Sequence, residues 1–367
     1  MPSVGNFHLA CLRGDGTVFA THLSTGVPPR LGGCVNVPPL DTGTWYTQVA
    51  AGAWFTLLLR SDGEVVVCGV NSHDQTKIPA RPEGTRYTQC SVGVFHSALL
   101  RSDGEVAVCG GDLGEDGLII PPLKSGVTYT QVSCGTYTIV LLRSDGTAIA
   151  CGENRSGQCD IPELPDKVCY TQVAAGTWHT VLLRSDGQVV VSGCGTPVAY
   201  RCFRDEGQGD IPHLPPGRRY TQVDASDQLT VLLRSDGEAV ACGRNDYGQC
   251  NIPQCDDAWG YTQVCAGRCC TLLLRSDGTL LLCGDGIAPR RFCGDELFVP
   301  NPIAGVPFDP WSDLSFDLLF DPWSDMLAAS ARSQRSSPNQ HDMDAWGNPI
   351  SPICTLRWNP AAVQWED

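Results

Sequence analysis

Histidine and cysteine are the side chains of this sequence best suited to acid–base, nucleophilic or metal chemistry near neutral pH. The chain holds 7 His and 20 Cys, but their spacing argues against each use. Cys68, Cys109, Cys151, Cys242 and Cys283 directly precede a glycine at one position of a repeating unit, which Thr21 and Ser192 fill in the other copies. A small side chain buried at a strand end meets that description. Zinc sites need paired ligands such as Cys-x2-Cys, and the nearest cluster, Cys265, Cys269 and Cys270, lacks that spacing. No P-loop, Gly-x-Ser-x-Gly or His-Glu-x-x-His occurs, and no carboxylate pair clusters outside the repeat. No catalytic residue, metal or cofactor is expected.

The unit that must position these residues is clearest in Tyr170 to Gly187, YTQVAAGTWHTVLLRSDG. Arg-Ser-Asp-Gly starts at Arg60, Arg101, Arg143, Arg184, Arg234 and Arg275, and Arg13-Gly14-Asp15-Gly16 is a seventh, variant copy. Tyr46, Tyr87, Tyr129, Tyr170, Tyr220 and Tyr261 each precede their Arg by 14 residues, and an Ile-Pro or Val-Pro pair ends 8 residues before each Tyr. A fixed period of this kind marks a repeat architecture. Tyr170 to Ala174 alternates and is rich in β-formers, Gly176 interrupts it, and Trp178 to Arg184 reads as a second strand. Ser185-Asp186-Gly187 reads as a tight hairpin turn and Gln188 to Ser192 as a third strand. The Ile-Pro segment predicts a fourth strand at the sheet edge, since Pro has no N–H. The expected fold is all-β: a seven-bladed propeller of four-stranded antiparallel blades over residues 1–300. An acidic, Trp-rich tail follows over 301–367, partly helical and partly disordered.

Net charge is −15, and the tail holds 9 of the acidic and 3 of the basic residues. An acidic surface repels phosphate backbones, so direct nucleic-acid binding is not expected. The start, MPSVGNFHLACLRG, lacks a basic then apolar leader, and no run of ~18 apolar residues exists. The expectation is free thiols, a cytoplasmic or nuclear location and no membrane insertion.

The run from Val173 to Gly193, with Gly157-Gln158, Gly207-Gln208 and Gly248-Gln249, resembles the repeats of the regulator of chromosome condensation family. The third strand departs from it, ending in Cys-Gly where the family often has Trp-Gly. The resemblance implies a seven-bladed β-propeller. It also implies several functions: nucleotide exchange on a small GTPase, UV-B perception, substrate binding within large HECT-type ubiquitin ligases, and β-lactamase inhibition. Fold therefore leaves function open. The photoreceptor's Trp clusters are not matched, since only Trp54 and Trp178 hold the equivalent position, and a 67-residue tail is too short for a ligase domain. The expected function is a non-catalytic protein–protein interaction propeller, a scaffold or adaptor. The alternatives are a guanine-nucleotide exchange factor for a small GTPase and a substrate-recognition or regulatory subunit.

Residues shared by every copy serve the blade, so the Arg and the Asp-Gly turn read as scaffold. Residues that differ are freer to meet a partner. The three positions after the unit's Gly vary most, and five copies carry an aromatic residue there. Trp54, Phe95, His96, Tyr137, Trp178 and His179 are the partner-binding candidates, on one face around the ring's axis. The competing reading packs the aromatics between blades and gives the His a backbone or neighbouring partner. Insertions after the third strand, Thr21–Cys34, Cys194–Glu206 and Gly284–Glu296, add Arg201, Arg204, Arg290 and Arg291 as candidates for an acidic partner. In the tail, Asp309-Pro310-Trp311 recurs as Asp321-Pro322-Trp323, each a helix start and a short motif of the kind that docks on clathrin-adaptor appendages.

Overall fold

The computed structural model describes residues 2–23, 33–111, 119–193, 205–255 and 259–284, and the backbone alone of 287–292. Seven antiparallel sheets follow one another along the chain. Blade four shows the plan: an inner strand Tyr129–Cys134, a middle strand Thr138–Arg143 and an outer strand Ala148–Gly152. The middle strand is a continuous apolar run because both of its faces are covered. Ile139 and Leu141 pack with blade three, Val140 and Leu142 with blade five. Each such side chain removed from water contributes about 1.5–3 kcal/mol.

Arg-Ser-Asp-Gly joins the middle to the outer strand. In blade four the Gly146 N–H donates to the Arg143 carbonyl at 3.0 Å, and Asp145 Oδ1 accepts the Thr147 N–H at 3.0 Å. Gly187 has φ +79°, and a Cβ there would stand 2.3 Å from the Arg219 Cβ, so this turn requires glycine. In five blades the Arg folds back on the Asp of its own turn, at 2.6 Å from Arg101 to Asp103 and 2.7 Å from Arg275 to Asp277. That geometry serves the blade.

The inner strands Pro2–Val4, Tyr46–Ala51, Tyr87–Val92, Tyr129–Cys134, Tyr170–Ala175, Tyr220–Ser226 and Tyr261–Ala266 neighbour one another in sequence order, and the last neighbours the first. The ring closes where Val4 and Leu9 pack with Cys265, Cys270, Leu272 and Leu282. A side-chain clamp ties successive inner strands. Gln131 Nε2 donates to the Val173 carbonyl and its Oε1 accepts the Val173 N–H, both at 3.0 Å. Gln48 does the same to Cys90, Gln89 to Val132 and Gln222 to Val264. Gln172 Oε1 accepts the Val223 N–H.

The strand count differs from expectation. Among the described residues six blades have three strands, and the Ile-Pro and Val-Pro segments from Pro38 to Pro253 join no ladder. A side chain holds them instead. The buried Tyr of the next blade donates its hydroxyl to the Pro carbonyl, at 2.7 Å from Tyr129 to Pro121 and 2.8 Å from Tyr87 to Pro79. Blade seven does have a fourth strand, Ile287–Phe292, antiparallel to Leu280–Gly284 and drawn from an insertion. Among the described residues no α-helix occurs, and no helix is long and apolar enough to cross a membrane. The chain divides into units Met1–Ile303 and Ala304–Asp367. The expected tail helices lie outside the described residues.

Candidate functional site

The loop between inner and middle strands and the end of the outer strand meet at one end of every blade, since Thr138 pairs with Gly152 and Phe55 with Gly69. The Arg-Ser-Asp-Gly turns lie at the other end. The variable triplets and the starts of the insertions therefore share one face. Chain leaving the outer strand is tied to it: Val70 N–H donates to Trp54 C=O at 3.0 Å, and Arg244 N–H to Gln228 C=O at 2.9 Å.

Each triplet position has its own environment. The third is buried: His8, Phe55, His96, Thr138, His179, Leu229 and Cys270. His96 and His179, expected on the partner-facing surface, are instead enclosed between blades at 0% exposure. His179 Nε2 lies 3.0 Å from the Thr230 hydroxyl of blade six, and His8 Nε2 lies 2.7 Å from that of Thr56 in blade two. Burial lowers all three imidazoles to a pKa of about 4, so they are neutral in the folded protein at pH 7. They are packing groups.

The second position carries the aromatics, each half-buried. Phe7 stacks on Trp54 at 5.8 Å between centroids. Phe95 stacks on Tyr137 at 5.5 Å, Tyr137 tilts against Trp178 at 6.2 Å, and His73 meets the edge of Phe95. These rings form an arc over blades one to five, and blades six and seven carry Gln228 and Cys269 instead. The rings touch between blades and still reach the surface.

In blades four to seven the first position forms a polar string that sequence reasoning missed. The Thr136 and Thr177 hydroxyls are 2.7 Å apart, and Thr177 donates its N–H to the Asp227 carbonyl at 3.0 Å and its hydroxyl to the Asp227 carboxylate at 3.2 Å. Arg268 stands 3.7 Å from that carboxylate. Asp227 has φ +45°, because blade six replaces the usual Gly with Ser226 and closes a tighter hairpin, pairing Ser226 with Leu229. That missing Gly was the available signal. Within the ring, the glycines of neighbouring blades pack backbone to backbone: a Cβ on Gly135 would meet the Gly176 carbonyl at 2.2 Å.

The in-phase cysteines form no disulfide among the described residues, and the Cys109, Cys151 and Cys242 thiols lie 3.4, 3.7 and 3.6 Å from backbone carbonyls. Burial pushes Cys68, Cys109 and Cys151 up to about 11. Arg290 and Arg291 lie on the fourth strand of blade seven. Arg201, Arg204 and the Asp-Pro-Trp motifs Asp309, Pro310, Trp311, Asp321, Pro322 and Trp323 lie outside the described residues.

Regulator of chromosome condensation (RCC1) repeats match at residues 46–75, 129–158, 170–196 and 220–249. No curated protein matches the chain by sequence. Among solved structures, the CRINKLY WD40 ectodomain of the Arabidopsis thaliana receptor kinase ACR4 is 16% identical with a TM-score of 0.57, over 78% of this chain and 95% of that one. The ectodomain of the Physcomitrella patens receptor kinase CR4 is also 16% identical at 0.57, over 79% and 72%. Human WBSCR16 is 18% identical at 0.57, over 72% and 83%. At these identities the likeness is one of fold. Four matched repeats, seven sheets closed in a ring and one clamp repeated between blades agree: the chain carries regulator of chromosome condensation repeats and is folded as a seven-bladed β-propeller.

Proposed function

We propose that the protein is a non-catalytic interaction propeller that binds a protein partner through the face carrying the aromatic arc. One observation carries this reading. Phe7, Trp54, Phe95, Tyr137 and Trp178 occupy equivalent, half-exposed positions on a single face, although blades six and seven fold with Gln228 and Cys269 there. The blade does not need an aromatic residue at this place, and large rings dominate the energetics of protein interfaces.

Affinity capture from native lysate tests it, using the full chain, a Trp54→Ala/Trp178→Ala variant, and an Asp145→Ala/Asp186→Ala variant altered on the opposite face. Partners lost only from the first variant are expected. Equal capture by all three rejects the reading. Should the partner be a small GTPase, release of labelled GDP from it separates an exchange factor from a scaffold.

A further inference from the structure

The segment leaving the outer strand of blade four crosses to blade five. Glu153 N–H donates to the Tyr137 carbonyl at 3.1 Å, and the Gln158 carbonyl accepts the Thr180 hydroxyl at 2.8 Å. The segment thus spans the interval between Tyr137 and Trp178, whose rings are 6.2 Å apart and inclined at 44°. Leu23, Val70, Gly111, Cys194 and Arg244 take the place of Glu153 in five other blades and Asp285 in blade seven, so the blade does not require an acid there.

The Glu153 side chain is only 17% exposed, and its ion-pair partner Arg155, at 3.0 Å, is 70% exposed. Burial pushes the Glu153 carboxyl up despite the pull of Arg155. A carboxylate withdrawn from water and answered by a guanidinium reaching in from solvent gains from a better-seated cation. The aromatic ring of Tyr137, whose carbonyl accepts the Glu153 N–H, suits a planar one. The net charge of −15 draws cationic partners to the chain.

We propose that Glu153, Tyr137 and Trp178 form a binding site for an arginine side chain of a basic peptide segment, which displaces Arg155 from Glu153. This rests on the loop-face reading above and specifies the chemistry of its partner. Arginine is preferred to lysine because its fork matches a carboxylate while its plane lies on a ring.

Fluorescence anisotropy with a labelled Gly-Arg-Gly-Arg-Gly-Arg-Gly peptide, and its Lys and Glu counterparts, provides the test. Glu153→Gln is expected to weaken binding of the Arg peptide about fivefold or more, and Arg155→Ala to tighten it, with Lys weaker and Glu not binding. Unchanged binding by Glu153→Gln, or weaker binding by Arg155→Ala, overturns the site. Glu153→Gln keeps the shape of a mostly buried side chain and Arg155→Ala alters an exposed one, and neither residue belongs to a blade core. A captured protein that depends on Trp54 but is not displaced by the Arg peptide also overturns the site, and leaves the interaction propeller standing. Peptide binding as expected, with no partner dependent on Trp54, supports the site and sinks the broader reading.

Discussion

Gln263 has no donor for its side-chain oxygen because the residue that should supply one is Pro2. Strand register makes Pro2 the equivalent of Cys90, Val132, Val173, Val223 and Val264, whose N–H groups each donate to the clamping Gln of the preceding blade. The seam between blades seven and one therefore lacks half of a clamp and buries an unsatisfied acceptor. Pro2→Val restores the N–H. The expected gain is about 1 kcal/mol, read as a rise in urea midpoint. The reverse change, Gln131→Met, orphans both backbone groups of Val173 and should cost about 1–3 kcal/mol.

The Tyr hydroxyl clasps test the account of the outer segment. Tyr129→Phe keeps the ring buried and leaves the Pro121 carbonyl without its 2.7 Å bond. A loss of about 1 kcal/mol is expected in equilibrium unfolding, with faster amide exchange at 119–123. No change in either measurement would mean that backbone pairing, rather than this hydroxyl, holds the segment.

Buried titratable groups set the response to acid. His8, His96 and His179 have folded pKa values of about 4 against the ordinary 6.5. Depressed values contribute stability above pH 6.5 that is lost as pH falls towards 4. Asp224 runs the other way. Its carboxylate accepts N–H bonds from Ala225 and Ala266, yet burial raises it to about 6. Its contribution is full below the ordinary 3.8 and lost as pH rises through 6. His96→Leu, a change that blade six already makes with Leu229, should remove about 2 kcal/mol of the stability lost between pH 7 and pH 5. Asp224→Ser, the residue of Ser91 and Ser133, should enlarge that loss by about 1 kcal/mol. Urea titrations at the two pH values check both signs.

Much of the blade is written in local residue types. Asp-Gly needs a turn, a continuous apolar run needs cover on both faces, and the spacing of Pro and Tyr is the reach of one hydroxyl. The fourth strand was misread because Ile-Pro looks like an edge strand, while its stabilising bond comes from a side chain in the next blade. The Gln of Tyr-Thr-Gln recurs in six copies. Its role was invisible because its partner lies about 42 residues away across a blade junction. The histidines were ambiguous for the same reason: whether an imidazole meets solvent or a threonine depends on the neighbouring blade. Asp227 was legible only as the place where Gly failed to recur.

Hydrogen exchange of the chain with and without its captured partner tests the central functional claim most directly. The account predicts slowed exchange in the loops at 52–55, 93–96, 135–138 and 176–179, with the Arg-Ser-Asp-Gly turns unaffected. Protection confined to those turns, with the aromatic loops unchanged, would contradict it.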